Sequence, residues 1–235
     1  MTSPVDVQGV SPLAARLSAI DERIAAAAQA AGRSGEEITR IVVTKFHPAS
    51  LVRDLHELGV RDVGENRQQE LSAKEAELVA LDLRWHFIGQ GQTNKASAIR
   101  RSADVVHSVD RDRFADALHR AADDDDRLDV LVQINLTDDP ARGGAVPAQV
   151  AALAEHVMSL PSLRLRGVMA VAPLDEEPAS AFARLRDIAE RVRTVEPSAS
   201  WISAGMTGDF VEAIAAGATH LRIGSAITGP RPDRG

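Results

Sequence analysis

Along most of this chain, short apolar runs alternate with stretches whose apolar residues recur every three or four positions. The first such stretch predicts a helix. Leu13, Leu17, Ile20 and Ile24 share one face, Ser11 stands at the N-cap before Pro12, and Gly32 marks the stop. From residue 41 the alternation is regular. Strands are predicted at 41–45, 62–64, 85–88, 105–108, 130–135, 165–171, 201–203 and 221–224. Helices are predicted at 50–58, 68–80, 94–101, 111–122, 147–160, 179–194 and 209–216. Strands separated by helices pair in parallel through crossovers, and eight in roughly 185 residues predict a single-domain α/β fold, a (β/α)8 TIM barrel with an extra N-terminal helix. A doubly wound open sheet is the competing architecture. No Gly/Ser/Pro linker interrupts the pattern, so residues 1–235 read as one domain with an ordered core at about 11–229 and a loosely held tail.

Composition narrows the chemistry. With 44% hydrophobic and 26% charged residues the chain has the balance of a soluble globular protein. It has no run of the ~20 apolar residues that a membrane span needs. Residues 1–10 carry neither a basic patch nor an apolar signal core, so the expected location is cytoplasmic. A net charge of −7 offers nucleic acid no general attraction. The absence of Cys excludes disulfides, thiolate metal sites and cysteine nucleophiles. Four consecutive acids at 123–126 read as a solvated turn rather than a metal site. Tyr is absent, so no phenol base is at hand, and Lys45, Lys74 and Lys95 are the only lysines.

Lysine chemistry therefore has three candidates. Lys45 closes the apolar run Ile41, Val42, Val43, Thr44, at the strand end where barrel active sites gather. On an inward face shared with Ile41 and Val43 it would stand in the mouth, and partial burial would favour condensation with an aldehyde. The plain alternative is a lysine that reaches from a strand end to water. Lys74, flanked by Glu75 and Glu77, reads as an exposed helical residue, and Lys95 follows a polar loop.

Near the C-terminus, Ser203-Ala204-Gly205-Met206-Thr207-Gly208-Asp209 and Leu221-Arg222-Ile223-Gly224-Ser225 each follow a strand and open a helix. Small residues let main-chain amides approach an anion, and the turns after the last two strands are the usual phosphate site of a barrel. Arg222 alternates with Leu221 and Ile223 and so faces the interior, where a phosphate, a ring nitrogen or a carboxylate such as Glu65 would partner it. A reactive lysine and a phosphate cradle together fit pyridoxal 5'-phosphate, which carries both an aldehyde and a phosphate.

Val43-Thr44-Lys45, Gly64-Glu65-Asn66-Arg67-Gln68-Gln69-Glu70, Trp85-His86-Phe87-Ile88-Gly89, His107-Ser108-Val109-Asp110, Arg166-Gly167-Val168-Met169, Ser203 to Asp209 and Arg222-Ile223-Gly224-Ser225 run in order over nearly the whole chain. In these segments the chain resembles the pyridoxal phosphate homeostasis proteins. The resemblance implies a barrel similar to the alanine racemase N-terminal domain, of the third pyridoxal phosphate fold type. It implies a Schiff base on Lys45, and a phosphate held by Ser203, the backbone at Met206, Thr207, Gly224 and Ser225. Asn66 and Arg222 would lie close to the cofactor. The implied role is to buffer or deliver pyridoxal phosphate, without established turnover, as a monomer that meets apoenzymes transiently. Gly91 stands where the family usually has Leu, Phe46-His47 where small or basic residues are commoner, and 135–144 only loosely matches the family's Gly-rich loop.

Two other readings compete. One is an amino-acid racemase or lyase of alanine-racemase type, and two-base racemisation needs an acid/base on each face of the substrate. In alanine racemases the second base is a Tyr from an additional β-domain, and only His86 or His107 could replace it here. Of these, His86 reads first as a hydrogen-bonded residue lining the barrel. The third reading is a barrel that binds another phosphorylated metabolite with Lys45 as a plain counter-charge.

Overall fold

The computed structural model describes residues 11–123 and 126–231. The acid run at 123–126 falls partly outside the described residues, as do residues 1–10 and 232–235. Eight parallel strands close into a barrel in sequence order: β1 (Thr39–Val43), β2 (Asp62–Glu65), β3 (Arg84–Phe87), β4 (Val105–Val109), β5 (Leu128–Gln133), β6 (Leu163–Met169), β7 (Trp201–Ser203) and β8 (His220–Ile223). The open-sheet alternative is excluded, because β8 pairs with β1. Nine described helices accompany them: α1 (Pro12–Ala30), α2 (Ala49–Glu57), α3 (Gln68–Glu77), α4 (Ala96–Ser102), α5 (Asp112–Arg120), α6 (Val150–Met158), α7 (Pro178–Val195), α8 (Phe210–Ala215) and α9 (Ser225–Thr228).

Local chemistry sets the first of these. Ser11 accepts the Ala14 amide at 3.1 Å, Pro12 supplies a preset φ, and Gly32 turns the chain out at φ +69°. Several strands begin and end about two residues before the predicted limits. Apolar runs mark where a strand is greasy, whereas Thr39, Arg40, Asp129 and Arg164 join the ladder at the polar floor of the barrel. Lys45 consequently lies on the turn beyond β1, not on the strand itself.

Strand side chains alternate between two environments. Val42, Val63, Phe87, Val106, Val168 and Leu221 point outward into the layer filled by the helices. On the inner face Val105, Leu131 and Met169 form a small apolar group with Trp201 beside them, and Ile41 and Val43 add aliphatic surface near Gly64. Most TIM barrels fill this space with branched aliphatics. Here much of it is polar: His86, His107, Ser203, His220 and Arg222 are all buried.

Candidate functional site

The turns that carry the predicted residues occupy one continuous arc of the rim, because β7, β8, β1 and β2 are neighbours in the closed sheet. Ser203 pairs with His220, and the Arg222 amide donates to the Gly205 carbonyl at 3.0 Å. Val42 lies opposite Ile223, and Val43 opposite Gly64. Carried two or three residues onward, these registers set Lys45 level with Asn66 on one side and residues 225–226 on the other. The exposed Lys45 amine, Asn66 and both glycine-containing turns thus share one edge of the mouth.

The backbone on each side of Lys45 is fixed by β2 and α3. Glu65 is fully buried, and its Oε1 accepts from Thr44 Oγ1 at 2.7 Å and from Lys74 Nζ at 2.5 Å. Lys74 also donates to the Thr44 carbonyl at 2.9 Å. Burial raises the Glu65 carboxyl above the usual range, with the Lys74 ammonium opposing. On the other side, the Phe46 amide donates to Glu70 Oε2 at 2.8 Å. Phe46 has φ +70°, a left-handed conformation costly for a bulky residue, and its ring is flanked by the Arg67 and Arg231 guanidiniums at 5.0 and 3.5 Å. Such strain is concentrated where a neighbouring group must be aimed.

The phosphate-type turns divide the predicted donors. Gly205 has φ +92°, and a Cβ there would sit 2.7 Å from Ala213 Cβ, so only glycine closes this turn against α8. The Met206 amide donates to Asp209 Oδ1 at 2.6 Å. The amides of Thr207, Gly208, Gly224 and Ser225 take no partner among the described residues. The Ser203 hydroxyl faces the barrel interior, held between His107 Nδ1 at 2.9 Å and Arg222 Nη1 at 2.7 Å.

Arg222 is buried, and among the described residues no carboxylate contacts its guanidinium. It donates to Ser203 Oγ and, at 2.9 Å, to the Ala170 carbonyl, and burial brings it down to about 10 against the pull of Asp209. It also lines a cavity of about 240 Å³ with Ile88, Gln133 and Met169. Glu65, the carboxylate suggested for it, belongs to Lys74 instead. Asn66 Oδ1 is buried with no partner and lines a neighbouring cavity of about 610 Å³ with Gln90, Gln92 and Lys95.

Three residues escape the sequence reading. Lys74 is 7% exposed, so the expectation of an exposed helical lysine is corrected. Its position between Leu71 and Leu78 on the apolar face of α3 was the available signal. Asp62 and His220 complete the polar interior, and no spacing rule marks them.

The family profile described as alanine racemase, N-terminal domain, matches residues 15–232. A pyridoxal phosphate homeostasis protein of Mycobacterium tuberculosis is 42% identical over 94% of this chain and 93% of that protein. The chain belongs to the pyridoxal phosphate homeostasis protein family. PipY of Synechococcus elongatus, solved with pyridoxal phosphate bound, is 32% identical, with a TM-score of 0.81 over 92% of this chain and all of that one. Alanine racemase of Corynebacterium glutamicum, 16% identical with a TM-score of 0.67 over 90% of this chain and 60% of that one, shares the fold alone. The expected departure at Gly91 meets a steric limit in this structure. A Cβ there would stand 2.1 Å from the Phe114 ring, so Leu could enter only if Phe114 moved.

The donor set fits the cofactor for which the family is named. An exposed amine suits an aldehyde, unpartnered main-chain amides suit a phosphate, and a buried guanidinium and an orphaned amide oxygen suit the polar groups of the ring. Among the described residues no cluster of metal-ligating side chains competes for the site, and no helix is long and apolar enough to cross a membrane.

Proposed function

We propose that this chain binds pyridoxal 5'-phosphate at the rim of its barrel, with Lys45 as the amine that takes the aldehyde, and that it stores or hands on the cofactor without turning over a substrate. The observation that carries the reading is the arc itself: a solvent-facing lysine on the turn after β1 and free amides on the turns after β7 and β8, which adjoin it in the closed sheet. When bound, the cofactor supplies a carbonyl that condenses reversibly with amines. The amides of Thr207, Gly224 and Ser225 would bind its phosphate, Met206 would shape the same turn through its bond to Asp209, and Asn66 would offer its free oxygen. Ser203 would act from beneath by holding Arg222. The Glu65–Lys74 pair and Glu70 hold the main chain on either side of the amine.

Storage is favoured over racemisation by the state of the two candidate bases. His86 and His107 are fully buried and hydrogen-bonded, and burial lowers both below the ordinary histidine range. Neither reaches the rim, and the chain has no Tyr to act from outside. A cytoplasmic monomer that meets apoenzymes transiently completes the reading; a closed barrel has no open strand edge that a partner must cover.

Borohydride reduction of the loaded protein followed by peptide mapping tests it. The adduct is expected on Lys45, and Lys45→Ala is expected to lose the visible absorption band. An adduct on Lys74 or Lys95, or a protein that takes up no cofactor, would overturn the reading. Lys45-dependent interconversion of D and L amino acids would move it to the racemase.

A further inference from the structure

Five buried or half-buried side chains form one unbroken line through the barrel. Asp62 Oδ1 meets His86 Nε2 at 2.9 Å, His86 Nδ1 meets His107 Nε2 at 2.9 Å, and His107 Nδ1 meets Ser203 Oγ at 2.9 Å. Arg222 closes the line on Ser203 Oγ at 2.7 Å. The line starts at the first residue of β2, on the floor, and ends at a guanidinium lining the mouth cavity.

The direction of every hydrogen in it follows from its lower end. Asp62 is held below the usual carboxylate range. Burial would raise it, but the interactions with His86, led by its hydrogen bond, prevail, with Arg84 and His220 adding to them. An ionised carboxylate only accepts, so His86 carries its hydrogen on Nε2. A neutral His86 then has a bare Nδ1 and must receive the hydrogen on His107 Nε2. A neutral His107 in turn receives the Ser203 hydrogen on Nδ1, and Ser203 Oγ is left to accept from Arg222. Each group donates toward Asp62, and the dipoles reinforce one another between a fixed cation and a fixed anion. His220 packs against both imidazoles, with ring centroids at 6.5 and 6.4 Å, and Arg84, Arg166, Asp104 and Asp209 are the other charges nearby.

We infer that Asp62, His86 and His107 are positioning residues for the cofactor pocket: a one-way hydrogen-bond relay that fixes the Ser203 hydroxyl as an acceptor and thereby the orientation of the Arg222 guanidinium at the mouth. A barrel that needed only to be filled would take aliphatics here, as the apolar group of Val105, Leu131 and Met169 does. Buried polar groups cost stability unless satisfied, and this line satisfies every ring nitrogen it contains. The inference rests on the pyridoxal phosphate reading for what Arg222 serves, but not for the direction of the relay.

Two measurements test it. In cofactor-free protein with ¹⁵N-labelled histidine, long-range nitrogen–proton correlations at pH 7.5 are expected to show His86 and His107 neutral, each protonated on Nε2. A doubly protonated His86, or His107 protonated on Nδ1, would overturn the relay. The second measurement compares His107→Gln, whose amide can accept from Ser203 and donate to His86, with the apolar His107→Leu. Cofactor dissociation constants are expected within about threefold of the parent for Gln and raised at least about tenfold for Leu, with the visible band displaced only in Leu. Equal loss in both, or parental affinity and spectrum in Leu, would overturn it. Should Leu not fold, the tautomers decide. A parent chain that binds no cofactor would refute the preceding functional reading and leave the tautomers to judge the relay.

Discussion

Lys74 shows how much a single side chain can govern from inside the molecule. Its ammonium touches Glu65 and the carbonyl that precedes Lys45, and replacing it by Met would leave the buried Glu65 carboxylate with the Thr44 hydroxyl but no counter-charge. Breaking a buried pair on one side costs about 3–5 kcal/mol, whereas removing both charges is often near neutral. Lys74→Met is therefore expected to lower the urea midpoint strongly, and Lys74→Met with Glu65→Gln to recover most of the loss. A double variant no better than the single one would show that the pair is not the cause. Such a residue is legible in sequence only through its place on a helical face. Phe46 is less legible still, since nothing in Lys45-Phe46-His47 announces a left-handed phenylalanine braced by Glu70, Arg67 and Arg231.

The strands pose a different problem, one of titration. His86, His107 and His220 are all lowered by burial, His220 to about 3, while in the unfolded chain they titrate near 6.5. The unfolded state therefore binds more protons below that point. Stability is fully present above about pH 6.5 and is lost as pH falls toward the folded values, by up to about 1.4 kcal/mol per pH unit for each histidine. Glu65, raised by burial, acts in the opposite sense above its unfolded value near 4.3, but one carboxyl does not offset three imidazoles. The denaturation midpoint is expected to drop clearly between pH 7.5 and 5 and to change little between 7.5 and 8.5. A flat profile from 7.5 to 5 would show that the histidines are charged or solvated. Element type and order were legible because parallel strands and crossover helices impress period and spacing on the sequence. Strand ends were not, since the floor of the barrel is built from charged residues such as Asp129 and Arg164 that read as loop.

At the scale of the whole molecule, α1, the first described helix, is tied to the last two. Its buried Leu17, Ile20 and Ile24 join the helical layer, and Arg16 Nε donates to the Ile227 carbonyl at 2.7 Å. Just after the helix, Arg33 Nη1 reaches the Ile214 and Ala218 carbonyls at 3.0 and 2.8 Å. These contacts brace α8 and α9, the helices that follow the two amide-bearing turns. Ile24→Ala is expected to cost about 2–4 kcal/mol and to lower Tm by roughly 5–15 °C. A change under a degree in a thermal scan would mean that the helix is only appended. The arc of the rim was legible because barrel closure brings the first and last strands together. The line from Asp62 to Arg222 was not: alternation turned Arg222 and His86 inward, but which side chains meet across five strands depends on the register.

The placement of the two tryptophans has an optical consequence. Trp85 is packed in the helical layer, whereas Trp201 lies 4.3 Å from the His220 ring with the Arg166 and Arg84 guanidiniums over its faces. An imidazolium quenches indole emission far better than an imidazole does. Protonating His220, which burial holds down to about 3, would dim Trp201, whereas Trp85 has no imidazole against its ring among the described residues.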